Sequence, residues 1–170
     1  MDKLFRITTP KLAILALLLL GGCAGLIREA PTIGDSAEVV QQKMGTPTAI
    51  YGAGHERIFE YATGPMGQQT YMARIGADGR MESYEQVLTS EKFATIKIDS
   101  ATKEDVLRTV GRPAETSRIA LRDYEVWSYR YKEAGVWNSL MHVHFDQQGV
   151  VRQMMNGPDP MYEPKERVGW

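Results

Sequence analysis

The chain has 170 residues, a net charge of −1 and 43% hydrophobic residues. That balance supports a packed core and excludes the basic excess of a nucleic-acid binder. It has one cysteine, so no internal disulfide forms and stability has to come from packing.

The chain opens with Lys3, Arg6 and Lys11, then an apolar run from Leu12 to Leu20, then Gly21, Gly22 and Cys23. A charged lead, a short apolar core and a small-residue exit are the layout of a secretory signal peptide. The run is about half of the ~20 residues that a membrane-spanning helix requires. The "LGGC" end resembles the lipobox of bacterial lipoprotein signals. The resemblance implies cleavage before Cys23 and fatty acylation of that residue, with residues 23–35 as a lipidated linker. Each buried methylene contributes ~0.8 kcal/mol, and two or three chains hold a protein on a membrane. Ala24 stands where many inner-membrane lipoproteins carry Asp, which implies the periplasmic face of the outer membrane. Loss of residues 1–22 removes Lys3, Arg6, Lys11 and Asp2 and takes the net charge from −1 to −3.

Beyond the linker, one unit is written twice. "SAEVVQQKMGTPTAI" (36–50) aligns with "TKEDVLRTVGRPAET" (102–116), pairing Val40 with Val106, Gly45 with Gly111 and Pro47 with Pro113. "IFEY" (58–61) answers "VWSY" (126–129), and "GADGRM" (76–81) answers "DQQGVV" (146–151). The offset grows from 66 to 68 to 70, as loop length changes require. Such self-similarity defines the architecture before any other signal.

In each unit a capped helix comes first. Ser36 and Thr102 offer oxygens to unpaired N–H groups, with a Thr102/Asp105 capping box and an acidic variant at Asp35/Glu38. Val40 and Met44, and Val106 and Val110, give an apolar stripe. Gly45 and Gly111 fit a left-handed helix end, and Pro47 and Pro113 prevent resumption. Strands follow: "IFEYAT", "QTYMARI" and "RMESYEQVL" in the first unit, "EVWSYRY", "SLMHVHF" and "VVRQMM" in the second. The spacing predicts an α+β fold of two tandem repeats, 36–88 and 89–155. Each is a short helix on a three-stranded antiparallel meander, with a small extra helix around Ser90–Ile96. Residues 156–170, with Pro158, Pro160 and Pro164, read as an extended tail.

The second unit also carries a specific pattern: Phe93 and Ile96, then Thr102, Asp105, Val106, Gly111 and Pro113, then Trp127 and Tyr129, then Phe145, Asp146, Gly149 and Val151. It resembles the BamE (SmpA/OmlA) family of small outer-membrane lipoproteins. The first unit departs from it, with Phe59 for the tryptophan and Pro31 where the extra helix would lie. Ser100 and Ala101 stand where the family usually has Gly-Met. The tandem arrangement also resembles β-lactamase-inhibitor-like proteins.

The tempting chemistry is thin. His142 and His144 lie two apart and face one way, opposite Met141, Val143 and Phe145, but two ligands fall short of a metal set. His55 sits in a glycine-rich loop. No G-x-S-x-G elbow or phosphate loop occurs, and "YGAG" and "GPMG" read as turns. The sequence therefore predicts no catalytic residue, no metal and no cofactor. Trp127, Tyr129 and Tyr131 read as core. Trp137 and Trp170 are the candidate partner contacts. Two functions follow. In the first, which the BamE resemblance implies, the chain is a non-catalytic lipoprotein aiding outer-membrane protein assembly or envelope integrity. In the second it is an inhibitor-like binding module on the periplasmic face. The expected partners are the membrane, through acyl chains on Cys23, and outer-membrane assembly proteins, with no nucleic acid.

Overall fold

A computed structural model describes residues 29–52 and 56–163. The signal segment, Cys23, His55, Pro164 and Trp170 lie outside the described residues. Pro31–Trp170 forms one unit by itself. Its elements run α1 (Ala37–Met44), β1 (Ala49–Tyr51), β2 (Arg57–Ala62), β3 (Thr70–Ile75) and β4 (Met81–Gln86). There follow α2 (Ser90–Ala94), α3 (Lys103–Val110), β5 (Glu115–Ile119), β6 (Tyr124–Glu133), β7 (Trp137–Phe145) and β8 (Val151–Pro158). No helix among the described residues is long and apolar enough to cross a membrane.

The strands form two antiparallel sheets, β1-β2-β3-β4 and β5-β6-β7-β8. Each sheet therefore has four strands, not the expected three. The added strands, β1 and β5, are edge strands directly after the helix-ending G-x-P. β1 is only three residues long, and all five residues of β5 are exposed. Neither has the buried alternation that marks a strand in sequence. β8 also runs on to Pro158, three residues into the stretch read as tail. Proline fits there because β8 is an edge strand.

The duplication is visible in backbone detail. Ser36 bridges to Arg80 as Thr102 bridges to Val150. Both sheets shift register at one equivalent point, Arg74/Ile75 and His144/Phe145. Ser36 caps α1 by accepting the Val39 N–H, and the Thr102/Asp105 capping box on α3 is complete. Asp35 does not cap α1; its carboxylate accepts the Thr32 N–H and binds Lys43. Gly45 and Gly111 end the helices with φ 86°, ψ −167° and φ 84°, ψ −162°. That region lies outside the expected left-handed helical one and is essentially open to glycine alone.

Each helix covers one face of its own sheet. In repeat one, Ala37 and Val40 pack on Phe59, Tyr61, Ala73 and Ile75. In repeat two, Phe93 of α2 and Val106 and Val110 of α3 pack on Trp127, Tyr129 and Phe145. Phe93 meets Tyr129 and Tyr131 edge-on, at centroid distances of 5.6 and 5.1 Å, a favoured aromatic geometry. The other face of the first sheet is buried too, through Ile58 and Met72 with Val87. The end of α3 meets this face, where Arg74 Nη2 donates to the Arg108 carbonyl at 3.3 Å.

Candidate functional site

The junction between the repeats is organised around Glu60, a carboxylate with no solvent exposure. β2 places it on the sheet face turned toward repeat two. An unpaired buried carboxylate is costly, and three donors serve this one. Thr48 Oγ1 donates to Oε1 at 2.9 Å, and the Arg112 backbone N–H donates to Oε2 at 3.0 Å. The Tyr51 hydroxyl donates to Oε2 as well. Burial and the adjoining carboxylate push the Tyr51 pKa well above the usual phenol range, so it remains a donor. Tyr129 donates its hydroxyl to the Gly111 carbonyl at 3.1 Å; burial raises its pKa, helped by Tyr51 and Glu60. Sequence reasoning passed over Glu60 because it is one carboxylate among many. The available signal was a lone acidic residue inside "IFEY", between Phe59 and Tyr61.

Beside Glu60 lies a cleft of about 230 Å³, walled by Thr48 and Thr70 from repeat one and Pro113, Tyr129 and Arg130 from repeat two. Arg130 is buried and held by Asp159 at 2.7 Å and by Glu115. Asp159 is itself buried, so β8 and the residues after it are tied back to β6.

His142 and His144 do share a sheet face. Val126 and Gln153 flank His144, and Ser128 and Met155 flank His142. Ser128 Oγ and His142 Nδ1 lie 2.8 Å apart. A serine hydroxyl on a histidine nitrogen is half of a nucleophile–base arrangement. Here Ser128 is buried and the bond links the middle of β6 to β7. Burial holds the His144 pKa below its ordinary value, with His142 and Arg122 adding to the shift. Among the described residues no group of three His, Cys, Asp or Glu side chains is placed to hold a metal.

Trp137 opens β7 and is 69% exposed. Met66, Val136, Met161 and Tyr162 are exposed as well. They come from three segments that hydrogen bonds link at Asn138. Gln68 Nε2 donates to Asn138 Oδ1 at 2.9 Å, and the Asp159 N–H donates to the Asn138 carbonyl at 3.0 Å. Trp127, Tyr129 and Tyr131 are buried as core.

No family model matches the chain, and no curated protein matches it. Among solved structures, a DUF4309 family protein (YjgB) of Bacillus subtilis is 14% identical. That match covers 72% of this chain and 76% of the other, with a TM-score of 0.29. A candidate β-lactamase inhibitor protein of Streptococcus mutans is 14% identical, covering 88% of this chain and 98% of the other, with a TM-score of 0.30. Likenesses at these TM-scores carry no argument about function. The BamE resemblance rests on the sequence motifs alone.

Proposed function

We propose that this chain is a lipid-anchored envelope lipoprotein that works by surface contact, as a non-catalytic accessory in outer-membrane protein assembly or envelope integrity. The observation that supports contact most directly is the set of exposed apolar residues on the segments linked at Asn138. Trp137 and Val136 are exposed beside Asn138, which Gln68 and the Asp159 N–H both reach, and Met66, Met161 and Tyr162 are exposed within three residues of those two contacts; scattered single apolar residues would need no explanation. A rigid indole contributes large area at small entropic cost, which is why tryptophan dominates many interfaces. The anchor part of the proposal rests on the sequence layout around Cys23.

Two variants test the parts separately. Cys23→Ala should abolish labelling with a palmitate analogue and release the protein from the membrane fraction; undiminished labelling would refute the anchor. Trp137→Ala should leave membrane location and thermal melt intact while reducing recovery of β-barrel assembly components from detergent-solubilised outer membranes. Full recovery with that variant would remove Trp137 from the proposal.

A second reading, an inhibitor-like binding module, draws on the cleft at the repeat junction. In that case the same pull-down should recover a periplasmic enzyme.

A further inference from the structure

We propose that two copies of this chain pair edge to edge through β8, antiparallel about a two-fold axis at Met155, and so join their second sheets into one. The inference does not depend on the lipid anchor or on the Trp137 surface. The backbone direction of β8 and the contrast with the other sheet edges carry it.

In the two sheets, β1, β4, β5 and β8 are the edges. An open edge is a template for another strand, and short length or charged side chains are the usual protection. β1 is three residues long, β4 carries Glu82 and Glu85, and β5 carries Glu115 and Arg118. β8 is the longest edge at eight residues, and it has no charge from Gln153 to Pro158. It is also open. Met155 is 49% exposed, and Arg152 and Asn156 on the same strand are exposed too.

The open row is short and its ends are fixed. The Asp159 N–H donates to the Asn138 carbonyl at 3.0 Å, across to β7. Backbone direction alternates along a strand, so Gly157 and Met155 also turn to β7, and Asn156 and Met154 turn outward. Pro158 holds the next outward position and has no N–H to give. At the other end the Asp99 N–H donates to the Val151 carbonyl at 2.7 Å, and the Val151 N–H donates to the Ala101 carbonyl at 2.8 Å. The loop before α3 covers β8 there. One register fits a second copy to these limits. Met154 of each copy exchanges backbone hydrogen bonds with Asn156 of the other, and Met155 meets Met155 as a non-hydrogen-bonded pair, apolar against apolar. Gln153 falls opposite Gly157 and Arg152 opposite Pro158, so no like charges meet. An axis at Met154 would drive Gly157 of one copy into the Asp99–Ala101 loop of the other. An axis at Asn156 would put Pro158 in a donor position. The match of β8 to its own reverse is what selects a second copy as the occupant.

So short a contact is far below the roughly 1,200–2,000 Å² of a stable interface; it is transient in solution, and the test traps it. The full chain in detergent micelles carries Met155→Cys and is oxidised with copper–phenanthroline, and the unmutated chain, with Cys23 alone, sets the background. Opposed Cα atoms of a non-hydrogen-bonded pair lie about 4.5 Å apart, within disulfide reach. Because pairing holds the two thiols in place, the covalent dimer should form roughly tenfold faster or more than from Met161→Cys, another exposed position. Adding Met154→Pro removes an outward N–H and leaves the bonds to β7. It should bring the rate down to the Met161→Cys level, and Met154→Ala should not. Equal rates for Met155→Cys and Met161→Cys overturn the proposal. So does fast cross-linking that survives Met154→Pro in a protein that melts normally. If that variant does not fold, hydrogen exchange at the Met154 and Asn156 amides of the unmutated chain decides. It should slow as protein concentration rises, and exchange independent of concentration refutes the pairing.

Discussion

A Cβ built on Gly111 would stand 2.7 Å from Oε2 of Glu60. The residue that ends the helix of repeat two is thus also the floor on which the buried carboxylate of repeat one rests. Gly111 meets two demands at once, a backbone conformation at φ 84° and the absence of a side chain. The conformation alone is an insufficient reason for its sensitivity, and a second glycine separates the two.

Gly79 has φ 76° with nothing within 4 Å of its would-be Cβ. Gly79→Ala should therefore cost only backbone strain, about 1–2 kcal/mol. Gly111→Ala should cost clearly more, about 3 kcal/mol or above, because strain is joined by displacement of a hydrogen-bonded buried carboxylate. Chemical denaturation of the two variants reads the difference. Equal losses would mean that Glu60 moves aside freely.

Removing the carboxylate should be as damaging as crowding it. Glu60→Ala leaves the Arg112 N–H and the Tyr51 hydroxyl without their acceptor, and each buried unsatisfied group costs about 1–3 kcal/mol. The same position in repeat two is Ser128, which bonds to His142 instead. Ser128→Ala should cost only about 1 kcal/mol, since one neutral hydrogen bond is lost. Comparable losses for the two alanines would show that Glu60 contributes no more at the junction than an ordinary polar contact.

The parallel between Glu60 and Ser128 also marks the limit of what was legible in the sequence. The duplication, the caps at Ser36 and Thr102, the small helix at Ser90 and six of the eight strands follow from periodicity and turn residues. β1 and β5 do not, because an exposed edge strand such as "ETSRI" buries no side chain to impose alternation. The junction was harder still. Glu60 and Arg112 are 52 residues apart, and nothing in the local pattern of either pairs a carboxylate with a backbone N–H. The repeat alignment pointed to Gly111 as a helix end, but its contact with Glu60 required the packing of one repeat on the other.

Acid should weaken the fold in two separate pH windows. His144 is buried, with Nδ1 unpartnered and His142 and Arg122 nearby, and its pKa lies below the ordinary 6.5. Between that lowered value and 6.5 the unfolded chain takes up a proton that the folded chain does not, so stability declines as pH falls below about 6.5. The carboxylates of Asp105 and Asp146 act lower. Backbone hydrogen bonds hold both below the ordinary 3.8, so their stabilisation is present above that value and lost as pH falls through the folded pKa. Thermal melts of His144→Gln should show a flatter profile between about pH 7 and pH 5 and an unchanged loss below about pH 4. A parallel slope in the upper window would show that another group titrates there.

The ion pairs of Arg130 should differ sharply in weight. Asp159 is fully buried, whereas the Glu115 side chain is 60% exposed. An exposed partner contributes about 0–1 kcal/mol, so Glu115→Ala should leave the melt nearly unchanged. Asp159→Ala leaves a buried guanidinium, whose Nε already has no partner, with only its exposed partner Glu115, and breaking a buried pair from one side costs about 3–5 kcal/mol. The Asp159 N–H also donates to the Asn138 carbonyl, next to Trp137. Because the backbone bond survives the substitution, the β8 end should stay in place while global stability falls. Replacing both members with apolar residues, Arg130→Met with Asp159→Leu, should recover much of the loss, since an apolar pair of similar volume is often neutral or stabilising. Denaturation midpoints of the two single variants and the double variant close the cycle. A double variant no more stable than Asp159→Ala would mean that Arg130 holds the junction by its shape and its bond to Glu115, not through the buried pair.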